Sequence, residues 1–128
     1  MLLTVEPDGD VPIYQQLRDQ IVVAVASGAL VPGDSLPTTR QLAADLGINM
    51  HTVNKAYDQL RREGLISLGR RTGAVVARGP EDAPAGAADV ADWERRARTL
   101  LAEAYAKGMR PPEVLTRSQA LLDEFTKP

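Results

Sequence analysis

The feature that most constrains this 128-residue chain is the short link between two of its helical stretches. Thr38-Thr39-Arg40-Gln41 fits a capping box, in which the Thr38 hydroxyl accepts from the Gln41 N–H and the Gln41 side chain reaches back. Leu42, Ala43 and Leu46 form the inner face of the helix that follows, and Gly47 suits the left-handed position after its last turn. Asn49 then caps a further helix, expected from Met50 to Glu63, with Val53, Ala56, Tyr57 and Leu60 at i, i+3, i+4 and i+7. Two helices joined by so tight a turn define a helix-turn-helix arrangement.

Elements on either side extend this unit. A first helix is expected from Pro12 to Ala26, with Ile13, Leu17, Ile21, Ala24 and Val25 on one face and Ser27-Gly28 at its end. Pro32-Gly33-Asp34 is a turn. After Gly64, Leu65–Leu68 and Ala74–Ala77 form two short strands around the polar turn Gly69-Arg70-Arg71-Thr72-Gly73, a hairpin with a basic tip. Residues 79–88, with two prolines, two glycines and small side chains, form a linker. Beyond it Trp93, Ala97, Leu100, Leu101, Ala104 and Tyr105 mark a fourth helix, capped by Asp89 or Asp92. Glu94 and Arg98 stand four apart on its outer side, in the favourable order. Pro111 opens a fifth helix with the stripe Val114, Leu115, Leu121, Leu122 and Phe125. The expected fold is mainly α with one small β-hairpin: a winged helix-turn-helix over 1–78, the linker, and a two-helix segment over 89–128.

Composition removes whole classes of function. There is no cysteine and one histidine, so disulfide scaffolds, thiol nucleophiles and cysteine or multi-histidine metal sites are not expected. No apolar run reaches about 18 residues, and the N-terminus lacks a basic region and a long apolar stretch, so a cytoplasmic protein is expected. No phosphate-binding glycine loop and no serine–histidine–acid set points to an enzyme. The net charge is −2, but residues 40–78 hold seven basic against three acidic side chains, a local balance of +4.

That basic segment is where a DNA contact is expected. A helix fits the major groove, about 12 Å wide, and its N-terminal residues face base edges. With Val53 to Leu60 turned to the core, Asn49, Met50, His51, Thr52, Asn54 and Lys55 remain to read bases and hold phosphate. Arg70, Arg71, Thr72 and Gly73 at the hairpin tip would lie beside the backbone or enter a minor groove. Thr38, Thr39 and Arg40 complete the set. A cation in the first turn of a helix meets an unfavourable dipole, so Arg40 is unexpected unless it has a partner such as DNA. Arg61 and Arg62, at a helix C-terminus, are read as structural. His51 is expected to contact DNA rather than metal, and Tyr14, Tyr57 and Leu60 are read as core. Trp93 is an interface or core anchor, not a stacking platform.

The residues Leu36-Pro37-Thr38-Thr39-Arg40-Gln41-Leu42-Ala43-Ala44-Asp45-Leu46-Gly47-Ile48-Asn49, then Thr52-Val53-Asn54-Lys55-Ala56-Tyr57, Leu60 and Glu63-Gly64-Leu65-Ile66, resemble the GntR family of bacterial transcription regulators. The lead-in Val11-Pro12-Ile13-Tyr14-Gln15-Gln16-Leu17 and the short tail resemble its YtrA-like branch. The resemblance implies DNA contacts from Arg40, from the start of the recognition helix and from the wing. Many relatives outside the branch carry arginine where Met50 stands, which shifts base reading toward His51, Thr52 and Asn54. The wing commonly reads Gly-x-Gly, and Arg71 takes the first glycine position. Short relatives often control transporter operons.

Helices four and five can cover each other only in part, and so small a pair rarely forms a core alone. A two-fold dimer would pair the same patch with itself, through Trp93, Leu100, Leu101, Ala104, Tyr105, Leu121, Leu122 and Phe125. The expected activity is sequence-specific repression by a homodimer on a palindromic double-stranded operator. No cofactor, metal or membrane contact is expected. A small-molecule effector has little room except at the dimer interface or between domains. The alternative is a winged-helix protein–protein adaptor that does not read DNA; the basic segment argues against it.

Overall fold

The computed structural model describes residues 2–69 and 73–126. It is mainly helical, with five helices and a two-stranded antiparallel sheet in the order α1 (Ile13–Ser27), α2 (Thr39–Leu46), α3 (Met50–Arg62), β1 (Ile66–Gly69), β2 (Gly73–Val76), α4 (Ala87–Ala106) and α5 (Pro111–Thr126). The chain divides into two compact units, one ending at Glu81 and one beginning at Asp82.

The first unit is built on three helices whose apolar faces meet. Leu17, Ile21 and Val25 of α1, Leu42 and Ala43 of α2, and Val53, Ala56, Tyr57 and Leu60 of α3 are all buried. These are the stripes that helical periodicity predicts. Pro12 stands just ahead of α1, and its carbonyl accepts from the N–H groups of Gln15 and Gln16, both at 3.0 Å. Ahead of α1 the chain does more than the sequence suggests. Leu3 is buried in the same core, and two α1 amides one turn apart hold the backbone beside it. Gln20 accepts from Thr4 N at 3.1 Å and donates to Thr4 O at 2.7 Å; Gln16 does the same for Glu6, at 2.8 and 3.0 Å.

Both strands of the hairpin lie one residue nearer the turn than expected. Leu65 stays out of β1 because its N–H closes the α3 end onto Leu60 O at 3.0 Å. Ile66 pairs with Val76 and Gly69 with Gly73, so Gly73 belongs to a strand and not to the turn. On its far side β2 takes a second partner: Leu36 N donates to Ala74 O at 2.8 Å, and Val76 N to Asp34 O at 2.9 Å. Residues 34–36, just ahead of α2, therefore line the wing as a third, very short strand.

The second unit is the helix pair α4 and α5. The cap of α4 differs from expectation: Gly86 precedes the helix, Asp89 lies within its first turn, and Asp92 instead binds Arg95 at 2.5 Å and Arg96 at 3.0 Å. Gly108 makes the turn out of α4 at φ 97°. Neither helix has a buried residue.

Candidate nucleic-acid interface

Two helix N-termini and one strand end carry the described residues expected at DNA. At α2 the Thr38 hydroxyl accepts from Gln41 N at 3.0 Å. The reciprocal half of the capping box is not formed, because the Gln41 amide donates to Asp45 Oδ1 one turn on, at 3.3 Å. Accepting at the cap leaves the Thr38 hydroxyl proton free to donate outward. Gly47, at φ 67° and ψ 35°, reverses the chain, and Ile48 N closes the turn onto Ala43 O at 3.0 Å.

At α3 the Asn49 side chain accepts from His51 N at 2.8 Å. Its carbonyl is committed to the cap, and its amide N–H groups remain as donors. His51, Asn54 and Lys55 are exposed and Thr52 is half-buried. Met50, expected outward, is half-buried against the core instead. Its thioether extends the apolar edge of α3, and the polar side chains of that stretch are its neighbours His51, Thr52 and Asn54.

Charge pairing separates the cations more sharply than sequence position does. Arg61 and Arg62 both bind Asp58, at 2.6 and 3.2 Å, which holds that carboxyl below the usual carboxylate range, chiefly through the Arg61 hydrogen bond. Arg18 binds Asp19 at 3.0 Å and also Glu63, tying α1 to the end of α3. The Glu63 hydrogen bond leads the effects that raise the Arg18 pKa. Arg40 and Lys55, by contrast, form no ion pair among the described residues. Arg40 is exposed in the first turn of α2. Lys55 lies over the Tyr14 ring of α1, its Nζ 4.0 Å from the centroid. Tyr14, expected as core, is only half-buried.

The loop ahead of α2, the wing and α3 are linked mechanically. The buried Tyr57 hydroxyl donates to Pro37 O at 2.7 Å, immediately before the Thr38 cap. Burial pushes that hydroxyl up to about 12. Through residues 34–36 the same loop is bonded to β2. Tyr57 and the third strand are the supporting parts that sequence reasoning missed. Only a polar atom at a core position hinted at the first, and a strand of three residues leaves no periodic signal. Gly73 stands exposed at the head of β2. Arg70, Arg71 and Thr72 lie outside the described residues.

All of the residues expected at a dimer interface fall in the second unit. Trp93, Leu100, Leu101, Tyr105, Leu121 and Leu122 are exposed, while Ala104 and Phe125 are half-buried. A groove of about 360 Å³ between α4 and α5 is lined by Leu100, Leu101, Ala104, Val114 and Leu121, with Lys107 and Arg117 among its polar members. Among the described residues there is no acid or histidine cluster of metal-binding type, and no helix is long and apolar enough to cross a membrane.

Three helices, a paired wing and two capped N-termini, with Arg40 and Lys55 in no ion pair among the described residues, define a winged-helix domain. The family of bacterial regulatory proteins named gntR matches residues 13–76, half of the chain, and the chain belongs to that family. It is 37% identical over 76 residues to the transcriptional repressor YtrA of Bacillus subtilis, a match covering 59% of this chain and 58% of that protein. It is 39% identical over 87 residues to the transcriptional regulator Rv1152 of Mycobacterium tuberculosis, covering 67% of this chain and 72% of that one. Among solved structures, YtrA of Sulfolobus acidocaldarius, a GntR-family transcription factor, superposes with TM-score 0.64 at 36% identity, over 83% of this chain and 99% of that one. The DNA-binding domain of AraR, in complex with operator ORX1, superposes with TM-score 0.52 at 28% identity, over 60% of this chain and 95% of that one. The protein is thus a GntR-family transcription regulator with a DNA-binding domain.

Proposed function

We propose that this protein is a repressor that binds an inverted-repeat operator as a homodimer and excludes polymerase, with no catalytic step and in the cytoplasm. The observation that carries the DNA-facing half is the pairing pattern: Arg40 and Lys55 have no carboxylate partner among the described residues, whereas Arg18, Arg61 and Arg62 do. These unpaired charges, Arg40 in the first turn of α2 and Lys55 in the second turn of α3, suit phosphate. Asn49, His51, Thr52 and Asn54 read base edges. Thr38, Thr39, Arg40 and Lys55 hold the backbone, and the wing residues Arg70, Arg71, Thr72 and Gly73 steady the duplex from the side.

The dimer half rests on a tail in which neither helix buries a residue. A two-fold partner covers that surface and sets two recognition helices on half-sites about one helical turn, 10–10.5 bp, apart. Selection of bound fragments from genomic DNA with the purified full chain tests the proposal. The expected result is a palindrome whose half-sites keep that spacing, bound more weakly as salt rises. Enrichment without two-fold symmetry overturns the dimer, and no enrichment at any salt overturns DNA recognition and favours a protein adaptor.

A further inference from the structure

We infer that Tyr14, on α1, is a positioning residue for operator binding: its ring holds the Lys55 ammonium at the edge of the recognition helix, ready for a backbone phosphate. This rests on α3 being the element that enters the groove. The ammonium sits 4.0 Å from the ring centroid, within the range of a cation–π contact. Its nearest acidic neighbour along α3, three residues on, is Asp58, and that carboxylate is already bound by Arg61 and Arg62. The lysine is therefore drawn toward α1 and not along its own helix.

A lysine stem has many rotamers, and a free one loses that freedom when it meets a phosphate. A ring that already restrains the stem lowers that loss. The ring covers one side of the ammonium, and an ammonium has three N–H donors, so donors remain for phosphate oxygens. Tyr14 suits the task because it is anchored in the core while part of it stays accessible. It is half-buried and packs on the core, with Leu17, one turn later on α1, fully buried. The platform is thus rigid where the lysine is not.

The test uses the full chain and a duplex enriched in the genomic selection, with affinity read by anisotropy over a salt series. Lys55→Gln is expected to weaken binding about tenfold at low salt and to lower the slope of log affinity against log salt by about 0.9 per protomer. Tyr14→Leu is expected to lose roughly threefold, Tyr14→Phe to bind as wild type, and Tyr14→Leu to add nothing in the Lys55→Gln background. Tyr14→Leu binding as tightly as wild type while Lys55→Gln is impaired overturns the positioning role. An unaltered Lys55→Gln removes the phosphate contact and this inference with it, while operator binding by the wild type still supports the DNA-binding reading. Should Tyr14→Leu not fold, the wild-type proton spectrum decides: an upfield ring-current shift of the Lys55 ε-methylene supports the contact, and an unshifted methylene overturns it.

Discussion

Arg40 stands where a helix least favours a cation, in the first turn of α2, exposed and without an ion pair among the described residues. Arg40→Ala should leave the melting temperature unchanged or slightly raised and weaken operator binding about tenfold or more, in line with the roughly 1.5–3 kcal/mol of a charge-assisted hydrogen bond. Parallel thermal melts and anisotropy titrations check both halves of that expectation. Tyr57 shows the opposite logic, a polar atom spent on the interior. Its hydroxyl is raised to about 12 from the usual value of about 10. The neutral phenol is the form the folded state favours, so its contribution is complete below pH 10 and is lost as pH climbs from about 10 toward about 12. Tyr57→Phe should be about 1 kcal/mol less stable at neutral pH. It should also lose stability less steeply across that alkaline window, as measured by denaturant midpoints at a series of pH values. The burial of Tyr57 was legible from its place in the i, i+3, i+4, i+7 stripe. Its bond to Pro37 was not, because the two residues are twenty apart in sequence and meet only when α2 folds onto α3.

The elements differ in how much of their form is local. α2 and its turn are nearly self-contained: Thr38 caps one end and Gly47 reverses the other. Space is open around the Gly47 Cα, so a methyl group there meets nothing, and the cost of Gly47→Ala is the left-handed backbone alone. That cost is about 1–2 kcal/mol, and the melting temperature of the first unit should fall by about 4–16 °C, at 4–8 °C per kcal/mol for a domain this size. A calorimetric scan of the variant measures it. The hairpin is less local. Its strands were visible as β-branched and apolar pairs, but their bounds each lie one residue nearer the turn than expected, because the Leu65 N–H belongs to the α3 cap and Gly73 pairs with Gly69. The strand beside β2 was invisible, because residues 34–36 are extended only through their bonds to Ala74 and Val76. Those bonds tie the wing to the loop that carries the Thr38 cap, so the wing and the start of α2 share one support.

At the scale of the whole molecule the two units solve burial differently. The first unit closes its own core, with Leu17, Ile21, Val53 and Leu60 wholly out of solvent. The helix pair leaves Trp93 61% and Leu100 66% exposed, too much apolar surface for two helices to hide between themselves. Leu101→Asp should abolish dimers in light scattering and weaken operator binding by orders of magnitude, since one recognition helix alone holds only a half-site. A dimeric Leu101→Asp variant of full affinity overturns the tail as the dimer surface.

The helices, their caps and the tight turn between α2 and α3 are properties of the sequence itself. Each depends on residues within one or two turns of one another, and local hydrogen bonds and apolar spacing suffice to specify them. Only the tertiary structure decided which cations are spent and which remain. Arg18 finds Glu63 forty-five residues away, Lys55 finds a ring on another helix, and Met50 settles against the core. Such partners are chosen by distance in space, which a linear pattern of charges does not contain.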